Sequence, residues 1–191
     1  MFAHTPGKIV NGDTGDVADD SYHLYQEDTR LLKGLGVGAY RLSISWPRIF
    51  PDGTGQPNPL GLDHYKRVLD DLQANGITPY VTLFHWDLPA ALEGGWQSRD
   101  TAKAFADYAG YVAGKLSDRV KHFMTINEFD SFTNLGYKSG KFAPGLMLPA
   151  AELNQVRHHA LLAHGLGMEA IRASAPAAKA GLAENPTAFV R

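Results

Sequence analysis

Cysteine is absent from the 191 residues of this chain. Disulfide bonds and thiolate metal ligands are therefore excluded, and a cysteine-free chain suits a reducing compartment, so we expect a cytoplasmic location. The sequence also lacks an apolar run near the ~20 residues that a membrane helix needs, and its first residues show no signal-peptide pattern. We therefore expect no membrane span and no membrane partner.

Long runs of charge of one sign are also missing. The chain carries 18 basic and 20 acidic residues, interspersed, with a formal net charge of -2. This pattern offers no electrostatic footprint for nucleic acid, so we expect a small-molecule partner instead. With 44% apolar residues the chain can bury one sizeable core. We expect a single domain over 1–191, with an irregular leader over 1–20.

What the sequence does contain is a repeated alternation of helical and extended segments. Apolar residues at spacings of three and four predict helices from Ser21 to about residue 35, over 61–74, from a cap at Asp100 to Leu116, and over 150–173. Compact apolar runs predict strands over 37–44, 77–84, 120–126 and 179–183. The segment 46–60, dense in proline, glycine and aspartate, is predicted as a long loop.

Apolar strands that alternate with helices predict a parallel sheet covered by helices. Two architectures fit this pattern, a doubly wound open sheet and a portion of a (β/α)₈ barrel. A doubly wound nucleotide-binding sheet usually has a glycine-rich phosphate loop after a strand, and none occurs here. Polar and aromatic residues follow the strands instead, as at barrel active sites. We therefore favour the barrel.

An amide and a carboxylate stand side by side at the end of one predicted strand. Asn127 can hydrogen-bond a sugar hydroxyl through its amide, and Glu128 can protonate a neighbouring glycosidic oxygen. Phe129 would shield this carboxyl and favour its proton-donating form. The alternatives are that Glu128 caps a helix or pairs with a base such as Arg41, and that Asn127 is a turn residue.

Three further side chains are candidates for the same site. His85 and Trp86 end the preceding strand, where an imidazole can bond a sugar hydroxyl and an indole can pack against a pyranose. Arg41 lies within an earlier strand, where a permanent charge is costly without an anionic neighbour. We therefore expect Arg41 to face a buried carboxylate, either Glu128 or an acid outside this chain.

Metal and serine chemistry are disfavoured by the sequence. His158, His159 and His164 lack the spacing of a zinc-binding helix, so we predict no metal and no cofactor. Ser43 and Ser45 lie in an apolar strand without a Gly-x-Ser-x-Gly elbow, and we expect packing or hydrogen-bonding roles for both.

Several segments match one family pattern in their order along the chain. They are His4-Thr5-Pro6-Gly7-Lys8, Asn11-Gly12-Asp13, Asp20-Ser21-Tyr22-His23, Tyr40-Arg41-Leu42-Ser43-Ile44-Ser45-Trp46-Pro47-Arg48-Ile49, Asn75-Gly76-Ile77, Thr82-Leu83-Phe84-His85-Trp86-Asp87-Leu88-Pro89 and Thr125-Ile126-Asn127-Glu128. In these segments the chain resembles glycoside hydrolase family 1, the β-glucosidase family. The resemblance implies a (β/α)₈ barrel that hydrolyses β-linked glucosides with retention of configuration.

The resemblance also implies a role for each candidate residue. Glu128 is similar to the acid/base, Asn127 to the donor to the sugar 2-hydroxyl, and His85 to a ligand of another hydroxyl. Trp86 is similar to a wall of the sugar site, and Arg41 to the residue that holds the nucleophile. Retaining chemistry places the acid/base and a nucleophilic carboxyl about 5 to 5.5 Å apart.

Two departures from the family pattern affect these expectations. The family usually has proline after Asn-Glu, whereas Phe129 and Asp130 stand here, so we expect a freer backbone after the acid. Glu184, followed by Asn185 and proline, falls at the fifth strand and is rejected as the nucleophile. The nucleophilic glutamate is thus expected outside this chain, which covers roughly strands two to five of eight.

We therefore expect the 191 residues alone to be inactive. We also expect a second chain or a further segment to complete the barrel. Two other functions stay open from the sequence. One is a non-catalytic sugar-binding or assembly half-barrel, and the other is a 6-phospho-β-glucosidase.

Overall fold

A computed structural model describes residues 2–185 as one four-stranded parallel sheet with six α-helices. The helices are α1 (Ser21–Gly34), α2 (Trp46–Ile49), α3 (Pro59–Ala74), α4 (Arg99–Leu116), α5 (Phe129–Phe132) and α6 (Ala150–Ser174). The strands are β1 (Ala39–Ser43), β2 (Thr78–Phe84), β3 (His122–Asn127) and β4 (Lys179–Ala183). A π-helical segment, Thr133–Lys138, continues from α5. The predicted leader contains two short 3₁₀ turns, Phe2–His4 and Val10–Gly12.

The strands lie in sequence order, β1-β2-β3-β4, and every neighbouring pair is parallel. Helices connect successive strands, as parallel pairing requires. β2 and β3 have neighbours on both sides and are largely buried, whereas β1 is mostly exposed. The predicted parallel sheet is confirmed, and its carboxyl ends all meet at one edge.

One hydrophobic core lies between the sheet and helices α3, α4 and α6. The backbones of α4 and α6 approach closely because glycines stand at their contact. A methyl group on Gly167 would lie 2.8 Å from the Phe105 ring, and one on Gly110 would lie 3.2 Å from the Ala170 methyl. Tyr108 extends from α4 under the sheet, where its hydroxyl lies 2.9 Å from the Leu83 carbonyl oxygen. This core fixes the strand ends that carry the candidate site.

The prediction of a long loop over 46–60 is wrong at both ends, where the structure has helices. Trp46–Ile49 forms the short helix α2, because Pro47 is favourable in a first helical turn and the buried Trp46 indole donates to the Gly53 carbonyl oxygen at 3.1 Å. Helix α3 begins at Pro59, earlier than predicted, because Asn58 caps it by accepting from the Leu60 N–H at 3.1 Å.

Other boundaries differ from prediction by one or a few residues. The cap of α4 is Ser98 and not Asp100, since the Ser98 hydroxyl accepts from the Asp100 N–H at 3.2 Å. β1 and β2 begin later than predicted because Gly36 and Gly76, at φ 72° and 76°, take up the turns that end the preceding helices. Within the described residues, every helix is too short or too polar to cross a bilayer.

Candidate active site

The candidate residues lie at the carboxyl edge of the sheet because of the strand register. Phe84 of β2 pairs with Ile126 of β3, so the residues that follow each of them reach the same edge. His85 and Trp86 come directly after β2, Asn127 is the last residue of β3, and Glu128 follows it. The structure therefore brings these four residues together, as the sequence predicted.

Asn127 connects the other candidates. Its side chain is buried, at 1% exposure, and its Oδ1 accepts a hydrogen bond from Nη1 of Arg41 at 2.9 Å. Its carbonyl oxygen accepts from the Trp86 indole N–H, also at 2.9 Å. A guanidinium can only donate, so the Asn127 side-chain atom that faces Arg41 must be the amide oxygen. The Nδ2 group of Asn127 is then free to donate to another partner.

Arg41 differs from prediction in burial and in partner. Its side chain is exposed in these 191 residues, in which β1 has a neighbouring strand on one side only. The partner is the amide oxygen of Asn127 and not a carboxylate. Among the described residues the partner of Arg41 is therefore Asn127 and not Glu128, and the other alternative, an acid outside this chain, stays a prediction.

Glu128 adopts a backbone conformation that few non-glycine residues take. It is half-buried, with φ 46° and ψ 62° in the left-handed region. Its N–H donates to the Ala183 carbonyl oxygen at 2.7 Å, and its own carbonyl oxygen accepts from the Phe132 N–H at 3.1 Å. Strain of this kind concentrates at functional sites and persists only where the surroundings hold it.

The predicted freedom of the backbone after Glu128 is not found. The Phe129 N–H donates to Oε1 of Glu184 at 2.9 Å. A proline at this position would have no N–H to donate. Glu184, which we rejected as the nucleophile from the sequence, therefore accepts a hydrogen bond from the peptide that follows Glu128.

Trp86 also has a positive φ, 83°, which is a strained value for a bulky residue. Its ring is half-buried and lies 6.0 Å from the His85 ring and 5.6 Å from the Phe142 ring, between centroids. Phe142, exposed at 43%, was missed by the sequence reasoning. Its only signal was an aromatic residue in the glycine- and proline-rich segment after β3.

The surroundings of His85 favour the neutral form of its ring. Its pKa is lowered from 6.5 mainly by loss of solvation and next by Arg41, while Asp87 and Glu128 act in the opposite direction. Although the residue as a whole is exposed, its ring is crowded enough to lose water contacts. A neutral imidazole has both a donor and an acceptor nitrogen, which suits contact with hydroxyl groups.

Asp87 is a second residue that the sequence reasoning missed. Burial raises the pKa of its carboxyl, and hydrogen bonding from Ser45 and from the backbone of residues 85 and 87 opposes that rise. Asp87 thus links the end of β2 to Ser45, for which we had expected such a hydrogen-bonding role. The Ser45 N–H in turn donates to the Tyr65 hydroxyl at 2.8 Å.

The three histidines set aside as metal ligands all lie on α6. Nδ1 of His159 is 3.1 Å from the Trp96 carbonyl oxygen, and Nδ1 of His164 is 2.8 Å from the Thr125 hydroxyl. These contacts tie α6 to neighbouring segments. Between residues 2 and 185, no group of three or more potential ligands is positioned to hold a metal ion.

A cleft of about 330 Å³ adjoins one end of the site. Its lining includes Arg41 and His85 together with Tyr22 and His64 of α1 and α3, but not Asn127 or Glu128.

Comparison with known proteins gives a consistent family assignment. The pattern of glycosyl hydrolase family 1 matches residues 1–189. Thermostable beta-glucosidase B of Thermobispora bispora is 52% identical over 172 residues, covering 88% of this chain and 35% of that protein. The bifunctional beta-D-glucosidase/beta-D-fucosidase of Bifidobacterium breve is 50% identical over 187 residues, covering 95% of this chain and 40% of that protein.

Solved structures agree with these sequence relatives. The family 1 β-glucosidase from Thermotoga maritima superposes with a TM-score of 0.94 at 44% identity, over 97% of this chain and 43% of that one. The same enzyme in complex with glucoimidazole superposes with a TM-score of 0.92 at 45% identity, over 95% of this chain and 41% of that one. The chain thus spans about two fifths of these relatives. It belongs to glycosyl hydrolase family 1, and its four parallel strands are roughly strands two to five of a (β/α)₈ barrel.

Proposed function

We propose that this chain is the acid-bearing part of a retaining β-glucosidase, with Glu128 as general acid/base. The observation that carries the proposal is the meeting of His85, Trp86, Asn127 and Glu128 at the carboxyl edge of the sheet. This is the edge where barrel enzymes place their catalytic groups. The relatives named as β-glucosidases support the same activity.

The hydrogen-bond pattern supports distinct roles around the sugar ring. Arg41 holds Oδ1 of Asn127, so the Nδ2 group is the donor for a sugar hydroxyl, which we assign as the 2-hydroxyl. The neutral His85 ring binds another hydroxyl, and the Trp86 indole forms an apolar wall for the ring carbons. The assigned donor is therefore the Asn127 atom that Arg41 does not occupy.

The reaction would then proceed in two steps. In the first, Glu128 protonates the leaving oxygen while a nucleophilic carboxylate attacks the anomeric carbon and forms a covalent glycosyl-enzyme. In the second, Glu128 takes a proton from water, whose oxygen bonds to the anomeric carbon as the bond to the nucleophilic carboxylate breaks, and glucose leaves with retained configuration. The attacking carboxylate is expected about 5 to 5.5 Å from Glu128, on a segment outside these 191 residues.

Because one positioned carboxylate supplies only general acid catalysis, we expect the 191-residue chain to show no hydrolysis by itself. A further segment or second chain that completes the barrel would restore it. The cytoplasmic location, a role in carbohydrate metabolism and the choice between plain and phosphorylated glucosides stay predictions.

The direct test is hydrolysis of an aryl β-glucoside by the longest natural form of the protein. Glu128→Gln keeps the shape but cannot transfer the proton, so kcat/KM should fall by about 10² to 10⁴. Glu169→Gln, an exposed glutamate on α6, is the matched control and should leave the rate unchanged. Unchanged turnover in Glu128→Gln would refute the assignment.

A further inference from the structure

The peptide that follows Glu128 donates a hydrogen bond to a distant side chain. The Phe129 N–H lies 2.9 Å from Oε1 of Glu184, 55 positions further along the chain. Glu184 comes directly after β4, which ends at Ala183. A carboxylate that accepts from a backbone N–H forms a charge-assisted hydrogen bond, which is stronger than a neutral one.

The other peptide of Glu128 is held by the same strand end. The Glu128 N–H donates to the carbonyl oxygen of Ala183 at 2.7 Å. Consecutive residues of one segment, 183 and 184, therefore fix the peptides before and after Glu128. Any rotation about the Glu128 backbone must break one of these two hydrogen bonds.

A third, weaker contact joins the same two segments. Nδ2 of Asn185 lies 3.4 Å from the Ser131 hydroxyl, at the long end of hydrogen-bond distances. The end of β4 thus runs alongside α5 for three residues. Glu184 makes the only one of these contacts that combines a charge with a backbone donor next to Glu128.

Holding these peptides has a consequence for the direction of the Glu128 side chain. At φ 46° and ψ 62° the backbone is in a region that costs energy for a residue with a side chain. Without a constraint, the chain can relax to an ordinary conformation and turn the carboxyl away from its neighbours.

We propose that Glu184 is a positioning residue for Glu128: by accepting the Phe129 N–H it holds the peptide that follows the general acid in place. The role rests on the proposed function, since its purpose is to aim the general acid. Glu184 is not itself a catalytic residue, because its carboxylate is engaged by the backbone.

The hydrogen bond is tested by amide exchange at Phe129, which needs no catalytic activity. Glu184→Leu removes the acceptor and should speed exchange at Phe129 by about tenfold, whereas Glu184→Gln retains an acceptor oxygen and should preserve most of the protection. Glu169→Leu, on the exposed face of α6, is the control and should leave Phe129 unchanged. Unaltered exchange in Glu184→Leu would overturn the proposal.

The positioning role is tested by leaving-group dependence in the longest natural form of the protein. Glu184→Leu should reduce kcat/KM, which reports the first step, about tenfold for a poor leaving group such as phenyl, and far less for dinitrophenyl, which departs without protonation. In a Phe129→Pro background, which has no N–H to hold, Glu184→Leu should have no further effect. Equal losses for both leaving groups would show a general structural role and overturn the positioning assignment.

The two experiments separate failure of this inference from failure of the proposed function. A wild-type protein that does not hydrolyse either glucoside would refute the β-glucosidase proposal and the acid-aiming role together. Activity with an unprotected Phe129 amide would refute the Glu184 contact alone.

Discussion

The guanidinium of Arg41 donates to Oδ1 of Asn127 across 2.9 Å, although the two residues are 86 positions apart in the chain. Arg41 belongs to β1 and Asn127 to β3, with β2 between them. The contact therefore spans the neighbouring strand at the carboxyl side of the sheet. It makes the orientation of the Asn127 amide depend on the correct order of three strands.

Arg41→Met should impair the site more than the fold. Losing a charged donor to Asn127 removes a hydrogen bond worth about 1.5 to 3 kcal/mol where substrate is bound, so kcat/KM should fall about 10- to 100-fold. Since Arg41 is exposed, the free energy of unfolding should change by less than about 1 kcal/mol. Steady-state kinetics and urea unfolding, with the exposed Arg99→Met as control, provide the measurement. Full activity in Arg41→Met would contradict the assigned role.

The ring of His85 should titrate below its usual pKa of 6.5, and its neighbours should move that value in opposite directions. Arg41→Met removes a nearby positive charge and should raise the His85 pKa, whereas Glu128→Gln removes a negative charge and should lower it further. NMR titration of the His85 ring protons measures each shift. If the His85 pKa is the same in Glu128→Gln as in the wild type, the Glu128 carboxyl does not lie near the His85 ring.

His64 should make the protein lose stability in acid. It is buried and stacks on Tyr22 at 3.9 Å, and burial, followed by Arg48, Arg67 and His23, lowers its pKa from 6.5 to about 4. Below pH 6.5 His64 binds a proton in the unfolded chain but not in the folded chain. The free energy of unfolding therefore decreases as the pH falls from 6.5 toward 4. Denaturant unfolding at pH 7 and pH 5 measures it.

The comparison variant for His64 is His64→Phe, which keeps a ring against Tyr22 and does not titrate. It should show a smaller drop in unfolding free energy between pH 7 and pH 5 than the wild type. An equal drop in both proteins would assign the acid sensitivity to other groups.

Two glycines on α6 should respond to alanine in opposite ways. A methyl group on Gly165 meets no atom within 4 Å, so Gly165→Ala should stabilise the helix by up to about 1 kcal/mol. The same change at Gly167 forces a methyl to 2.8 Å from the Phe105 ring and should destabilise by about 1 to 3 kcal/mol. Thermal unfolding of the pair measures both effects. A tolerated Gly167→Ala would mean that α4 and α6 are packed less closely than the structure shows.

Much of the fold was predictable because the local pattern and the tertiary structure agree. Strand β4 was predicted to the residue, and α6 to within one, because compact apolar runs and helical periodicity both reflect burial in the core. The start of α3 was missed because Asn58 and Pro59 have the composition of a loop, although they form the cap and first residue of the helix. The starts of β1 and β2 were missed because glycine turns take up the residues before them.

The candidate site divides in a similar way. The residue types and their places after strands identified His85, Trp86, Asn127 and Glu128 before any coordinates, because chemistry and strand ends are both local properties of sequence. The parallel register that places Phe84 beside Ile126 then brought them to one edge. Asp87 also follows β2, but its link to Ser45 depends on the fold, and Phe142 carried no such signal because it matters only through its contact with Trp86.

The sequence by itself determined the alternation of strands and helices, because periodicity and burial are local properties. The order of its matching segments carried the resemblance to glycoside hydrolase family 1, and with it the choice of Glu128 as the proposed acid. The tertiary structure decided which groups hold that acid. Only the folded sheet sets Glu184 against the Phe129 N–H and Arg41 against Asn127, because hydrogen bonds between residues far apart in the chain depend on strand order and register, which no local pattern encodes.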